Sequence, residues 1–246
     1  MPVFFVPSEC ISQQTISATG DVLVHLRDSL RIKVGEIVLF GDGAGRRYCT
    51  EVTAVTNQAL TSRILETITQ PAPKAPALIL GQALLKGEKM DWVIQKATEL
   101  GVSKIVPIKS QHSVVQLKAD RVDHQLARWR RIVLEAAQQS EQWHVPKIAQ
   151  PRSLSELLAN HATSTTLLML AERDEGKSLQ TVGLPQGTNG SVLALVGPEG
   201  GWSKEEKEVA QQAGVETITL GQHILRSETA AMATISILQS RLGELG

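Results

Sequence analysis

Two stretches of this 246-residue chain place residues that could do chemistry at the ends of buried strands. The first is LALVGPEGGWSKEEKE, residues 193–208. Leu193 to Val196 are apolar and run into Gly197-Pro198-Glu199-Gly200-Gly201, after which a charged helix begins. A plain strand-to-helix turn needs less than three glycines, a proline and a carboxylate. Glycine lets backbone approach a ligand closely, and proline stiffens the turn. In parallel α/β sheets ligands sit beyond the carboxyl ends of strands. A phosphate loop does not fit, because no Gly-Lys-Ser/Thr follows and no G-x-G-x-x-G is present. Glu199 would repel phosphate; it suits a neutral or cationic ligand, or a ribose. The second stretch is LGQHILRSETAA, residues 220–231. Leu220, Ile224 and Leu225 are apolar where a loop is expected, so they either plug the core or wall a pocket for a flat apolar ring. Arg226 or Ser227 starts a helix, and Glu228 lies in its first turn, where a carboxylate suits the helix dipole. Two unusual strand ends point to one pocket, with an ordinary turn as the alternative.

These loops need a parallel sheet behind them, and the second part of the chain has its grammar. ALILGQAL (77–84), KIVPIK, TTLLMLAE, SVLALVG and VETITLG read as strands. Between them, KGEKMDWVIQKATELGV places Met90, Val93, Ile94, Ala97 and Leu100 on one helical stripe, with Gly101 as a stop. RVDHQLARWRRIVLEAAQQS and SETAAMATISILQSRL read as long helices. SKEEKEVAQQAG reads as a helix whose Ser203 and Glu206 have capping-box spacing. Alternating strands and helices imply an α/β domain with a largely parallel sheet.

QPAPKAPA (70–77), with its prolines and lack of periodicity, reads as a stiff linker. Before it, DVLVHL, EIVLF, RRYCTEVTAV and ALTSRIL are short apolar runs, with GDGAG suited to a hairpin connection. They predict a small β-barrel. Lys+Arg and Asp+Glu are equal at 25 each, so no global charge calls for nucleic acid or a membrane, although residues 74–150 are net basic and 151–246 net acidic. Two cysteines, Cys10 and Cys49, without a Cys-x-x-Cys indicate neither a disulfide scaffold nor a zinc site. The N-terminus lacks signal-peptide features and no run approaches about 18 apolar residues, so a soluble cytosolic protein without membrane segments is expected.

LVGPEGGWSKEE together with LGQHILRSETAA resembles the ribosomal RNA small subunit methyltransferase E family, uridine-N3 methyltransferases of 16S rRNA in the SPOUT superfamily. KGEKMDWVIQKATELGV, RWRRIVLEAAQQS and HLRDSLRIKVGEIVLFGDGAG are similar to other family segments, so the resemblance spans most of the chain. It implies a PUA-like RNA-binding barrel over 1–72 and a SPOUT α/β domain with a deep trefoil knot over 74–246. It also implies S-adenosylmethionine as methyl donor, no metal, a homodimer, and 16S rRNA or the small ribosomal subunit as partner. Periodicity alone predicts no knot, because connections ordinarily do not thread.

The resemblance assigns Val196, Gly197, Pro198, Glu199, Gly200 and Gly201 to the cofactor site, with Glu199 toward ribose hydroxyls. Leu220, Gly221, Ile224 and Leu225 would enclose adenine; Leu170, Ala171, Glu172, Arg226 and Thr229 complete the set. Arg226 and Glu228 are the catalytic candidates. The Arg226 guanidinium would stabilise charge on uracil oxygens as the N3 proton leaves; Glu199, Glu228 and bulk water all stand as possible proton acceptors. His25, Arg27, Arg31, Arg46, Arg47, Lys86 and Lys89 are the RNA-contact candidates. The chain departs from the family pattern at Val3, at Gln142 and in SQHSVV, each time losing positive charge. A ribose 2′-O-methyltransferase of the same superfamily and a non-catalytic RNA-binding module are the rival readings.

Overall fold

The computed structural model describes residues 2–115, 117–161, 163–171 and 176–245. The chain divides into two compact units, Met1–Ala72 with Ala137–Val145, and Pro73–Ala136 with Pro146–Gly246.

The first unit is built on β1 (Val3–Phe5), β2 (Thr15–Ala18), α1 (Gly20–Val24), β3 (Ile37–Gly41), β4 (Arg46–Val55) and β5 (Leu60–Thr69). Its five strands form one mixed sheet, ordered β1-β3-β4-β5-β2, with β1 parallel to β3 and the other pairs antiparallel. Among the described residues no ladder joins β1 to β2, so the expected barrel is observed as a sheet with two edges. Phe4, Ile16, Leu23, Leu26, Phe40 and Leu60 are in its core.

DVLVHL is not a strand. Gly20, at φ 58°, turns the chain out of β2 into α1, and a wider helical turn over His25–Ser29 follows. Leu23 and Leu26 are buried while Val24 and His25 are exposed. Burial at a spacing of three is helical, and it overrides the strand preference of the valines. The strand is instead TISA just before, where Ile16 and Ala18 point inward in alternation.

Residues 137–145 join this unit, although the linear reading attached them to the second domain. The Phe5 N–H donates to Gln138 Oε1 at 3.1 Å, Gly45 N–H to the Trp143 carbonyl at 3.2 Å, and Val145 N–H to the Gly43 carbonyl at 3.1 Å. Arg47 lies 3.8 Å over the Trp143 ring and donates to the backbone carbonyls of Glu141 and Gln142.

The second unit comprises β6 (Ala77–Ala83), α2 (Lys89–Glu99), β7 (Lys104–Ile108), α3 (Val122–Gln139, whose last residues belong to the first unit), β8 (Lys147–Ile148), α4 (Leu154–Ala159), β9 (Thr165–Leu170), β10 (Lys177–Ser178), β11 (Ser191–Val196), α5 (Lys204–Gln212), β12 (Glu216–Thr219) and α6 (Ser227–Leu242). The seven strands form an all-parallel sheet, ordered β10-β12-β9-β11-β6-β7-β8. Its central strands are near-continuous apolar runs, as burial on both faces requires. The α2 stripe buries Met90, Val93, Ile94 and Ala97, with Leu100 half-buried. The α5 capping box forms as its spacing predicts: Ser203 Oγ accepts from Glu206 N–H, and Glu206 returns a carboxylate to Ser203 N–H. The same device at Ser153 and Glu156 starts α4, a short helix missing from the sequence reading, as were the two-residue strands β8 and β10. α6 packs on α2, β6 and β11, and Gln239 Nε2 donates to the Leu100 carbonyl at 2.7 Å. No helix of the described residues is long and apolar enough to cross a membrane.

Candidate functional site

β12, β9 and β11 are neighbours and parallel, so their last residues, Thr219, Leu170 and Val196, end on the same edge of the sheet. The loops leaving these strands enclose a cavity of about 380 Å³. Its wall takes in Leu170 and Ala171, the loop from Val196 to Trp202, and the segment from Leu220 to Ser227 apart from Gln222. Most of the residues singled out in the two opening stretches are thus brought together. Thr229 is exposed and not part of the wall, nor is Glu228; Glu172 lies outside the described residues. A slightly larger cavity, about 440 Å³, lies beside Lys109–Gln111 and the starts of α4 and α5. Its wall includes neither the glycines after β11 nor the loops after β9 and β12.

Each glycine of the first loop has its own reason. A Cβ on Gly197 would stand 3.2 Å from Trp202 Nε1, so Gly197 makes the seat for the indole. That indole donates to the Leu170 carbonyl at 3.2 Å and so ties the β9 end to the β11 loop. A Cβ on Gly200 would stand 3.1 Å from His112 Cβ, and His112 Nδ1 is 3.2 Å from the Gly200 carbonyl oxygen. Gly201 has φ 70°, a conformation that costs other residues about 1–2 kcal/mol. The side-chain positions of Gly197 and Gly200 therefore face protein neighbours, and the loop as a whole forms part of the cavity wall. Trp202 and His112 were absent from the sequence-derived set; an aromatic directly after Gly-Gly was the available signal for the first.

Ser227 joins three elements. Its Oγ donates to the Gly197 carbonyl at 2.5 Å and accepts from Gln82 Nε2 at 3.1 Å. Gln82 is fully buried and sits beside Val196 in the β6–β11 ladder. Ser227→Ala leaves both partners without this bond. The expected loss of stability is about 1–3 kcal/mol, read as a lower urea midpoint with unchanged slope. A midpoint equal to wild type would show that water replaces the hydroxyl at no cost.

Arg226 occupies the N-cap position of α6 with extended backbone, and its carbonyl accepts the Ala230 N–H at 2.8 Å. Its side chain is exposed on the cavity wall and makes no hydrogen bond or ion pair among the described residues. Glu228 does not neutralise it; Glu228 Oε1 is 3.6 Å from Lys89 Nζ, which also lies 3.2 Å from Glu199 Oε1. Ile224 and Leu225 are 63% and 37% exposed on the same wall, an apolar surface facing water.

The RNA-contact candidates separate by what their charges already do. Arg47 spends its guanidinium inward; burial pulls its pKa below the ordinary value, opposed by Glu141. Arg27 is held by Asp28 and reaches the Asn57 carbonyl, and the hydrogen bond to Asp28 raises its pKa. His25 leans on the Phe4 ring. Arg31, Arg46 and Lys86 are exposed and unpaired among the described residues. Arg31 holds φ 55°, an unusual conformation for a residue with a Cβ.

A family model described as an RNA methyltransferase domain matches residues 72–239. Ribosomal RNA small subunit methyltransferase E of Bacillus subtilis is 29% identical over 231 residues, 91% of this chain and 89% of that protein. The protein of the same name from Mycobacterium tuberculosis is 30% identical over 229 residues, 90% of this chain and 86% of its own. The crystal structure of the Neisseria gonorrhoeae protein of that name, bound to S-adenosyl methionine, superposes with a TM-score of 0.87 at 30% identity, covering 98% of each chain.

Proposed function

This chain belongs to the RNA methyltransferase family, and from that premise we propose that it methylates N3 of a uridine in 16S rRNA. It is an S-adenosylmethionine-dependent methyltransferase of small-subunit ribosomal RNA. The observation that carries the cofactor reading is the cavity at three adjacent strand ends, whose wall joins the glycine-rich loop Val196–Trp202 to the exposed Ile224 and Leu225. An exposed apolar pair sharing a cavity with a glycine-rich loop fits a flat base next to a sugar. Val196 to Gly201 would hold the ribose side, with Glu199 toward its hydroxyls, and Leu220 to Leu225 the adenine.

Bound there, S-adenosylmethionine supplies a methyl group already activated by its sulfonium, so the protein's task is to prepare the acceptor. A uridine N3 carries a proton and attacks well only as that proton leaves. The negative charge then spreads over the two uracil oxygens. The Arg226 guanidinium, unpaired among the described residues at the cavity wall, stabilises it there. Glu199, Glu228 or water takes the proton.

The finer architecture belongs to the same reading. The mixed sheet of the first unit is read as the strands of a PUA-like RNA-binding fold over 1–72, with Arg31, Lys33 and Arg46 carrying charges unpaired among the described residues, and 74–246 as the methyltransferase domain. A trefoil knot is supported by the return of the chain from β12, beyond β9, to α6 against β6 and α2. Homodimerisation through the second domain is supported by α6, whose apolar residues continue past its buried stripe to the half-buried Met232, Ala233 and Ile237. A cytoplasmic site of action is supported by that substrate.

Small subunits or naked 16S rRNA from cells lacking the enzyme, incubated with protein and S-adenosylmethionine, should yield 3-methyluridine on digestion and mass spectrometry. A 2′-O-methyl nucleoside instead would overturn the acceptor assignment. RNA binding with neither methyl transfer nor cofactor binding would overturn the enzyme.

A further inference from the structure

Lys89 was an RNA-contact candidate on sequence, but its surroundings give it different work. It is the first residue of α2, so its ammonium stands at the helix end where positive charge is disfavoured. Two carboxylates from elsewhere offset that. Nζ is 3.2 Å from Glu199 Oε1 in the glycine loop and 3.6 Å from Glu228 Oε1 in the first turn of α6. The side chains of Lys89, Glu199 and Glu228 are 37%, 29% and 16% exposed, so solvent screens the group only in part. The second Glu228 oxygen is enclosed and without a partner among the described residues, which leaves Lys89 as the cation compensating that carboxylate.

We propose that Lys89 is a positioning residue of the methyl-transfer site: its ammonium clasps the glycine loop, which forms part of the cavity wall, to the first turn of α6. The inference rests on the reading of that cavity as the cofactor site. Lys89 joins three segments that meet nowhere in sequence: the start of α2, the loop after β11 and the start of α6. Glu199 lies in the cavity wall, and Glu228 directly follows Ser227, which itself bonds to Gly197. Without the ammonium, two carboxylates that share one nitrogen within 4 Å are left with only partial screening by solvent. Their repulsion pushes the loop and the helix start apart, and the cavity loses its shape before any RNA arrives. Lys89 touches no reacting atom in this arrangement; it acts through Glu199 and Glu228.

The test compares Lys89→Met, Lys89→Arg and the double variant Lys89→Met/Glu228→Gln. Calorimetry gives the Kd for S-adenosylmethionine, and binding to 16S rRNA is measured across a salt series. Lys89→Met should weaken the cofactor about 10-fold, the scale of losing two partly screened ion pairs and gaining a like-charge contact. Affinity for RNA and its salt slope should not change. Lys89→Arg should stay within about threefold of wild type, because the charge is kept. The double variant should recover most of the loss, because the repelling partner is gone. An unchanged cofactor Kd in Lys89→Met, together with weaker RNA binding and a salt slope reduced by about one, would make Lys89 a phosphate contact and overturn the proposal. A double variant as weak as Lys89→Met would overturn it too, since the effect would not run through the carboxylate pair. Wild-type protein that binds no cofactor at all would instead remove the cavity reading on which the proposal stands.

Discussion

Arg226→Ala is expected to slow single-turnover methyl transfer about 100-fold or more, while the S-adenosylmethionine Kd stays within a few-fold of wild type. The separation of the two effects comes from how the residue is built into the fold. Its helix-capping contact is made by the backbone carbonyl, to Ala230 N–H, and alanine keeps that bond. Its guanidinium has no partner to abandon among the described residues, because the nearby acid Glu228 is held by Lys89. Truncation therefore leaves no orphaned charge, and thermal stability should be unchanged. What disappears is a positive charge at the cavity wall that, on the proposed mechanism, is needed only once the uracil begins to lose its N3 proton. Such an interaction is stronger in the transition state than in the ground state, so its loss falls on the rate and not on binding. Arg226→Lys should recover part of the rate, because it restores a point charge without the planar fork. Wild-type turnover by Arg226→Ala would remove the residue from catalysis and leave it as a helix start.

Gly200→Val is expected to weaken cofactor binding about 10- to 100-fold, the factor matching an overpacking cost of about 1–3 kcal/mol. The sheet behind it should remain folded. On sequence grounds the glycine is there to leave room for a ligand. The structure locates the conflict on the opposite side: the added Cβ would meet His112 Cβ at 3.1 Å and its carbonyl oxygen at 3.4 Å. The loop must then move away from His112 and carry the cavity wall with it. Two measurements decide between the causes. If contact with His112 is responsible, Gly200→Ala paired with His112→Gly, which removes the contacted Cβ, should bind the cofactor better than Gly200→Ala alone. If the side chain enters ligand space, trimming His112 gives no relief. A fall in stability with unchanged affinity per folded molecule would make the loop a turn and nothing more.

The placement of the cavity was legible because it follows from chain grammar. Apolar runs alternating with amphipathic helices can form only a largely parallel sheet, and parallel strands carry their unusual loops to one edge. The α5 capping box and the α2 stripe were readable for the same reason, since each is decided within a few residues of itself. Where local signals competed, the reading failed: DVLVHL has strand-forming valines, yet Gly20 and the burial of Leu23 and Leu26 make it helical. Residues 137–145 continue a helix in sequence but find their hydrogen bonds with Phe5, Gly43 and Gly45 in the first unit.

What the sequence determined by itself, then, is the α/β class, the strand ends that carry the site and the family likeness of the loops. What each side chain faces was decided only by the tertiary structure. Arg47 and Arg46 are adjacent, yet one is spent on Trp143 and the other is free among the described residues. Lys89 is 110 residues from Glu199, and Gly200 is 88 residues from His112. Such contacts leave no trace in periodicity or propensity, because they depend on where distant segments come to rest. Individually they are worth about 1 kcal/mol, too little to impose a pattern on the chain but enough to decide which charge faces solvent and which meets the protein.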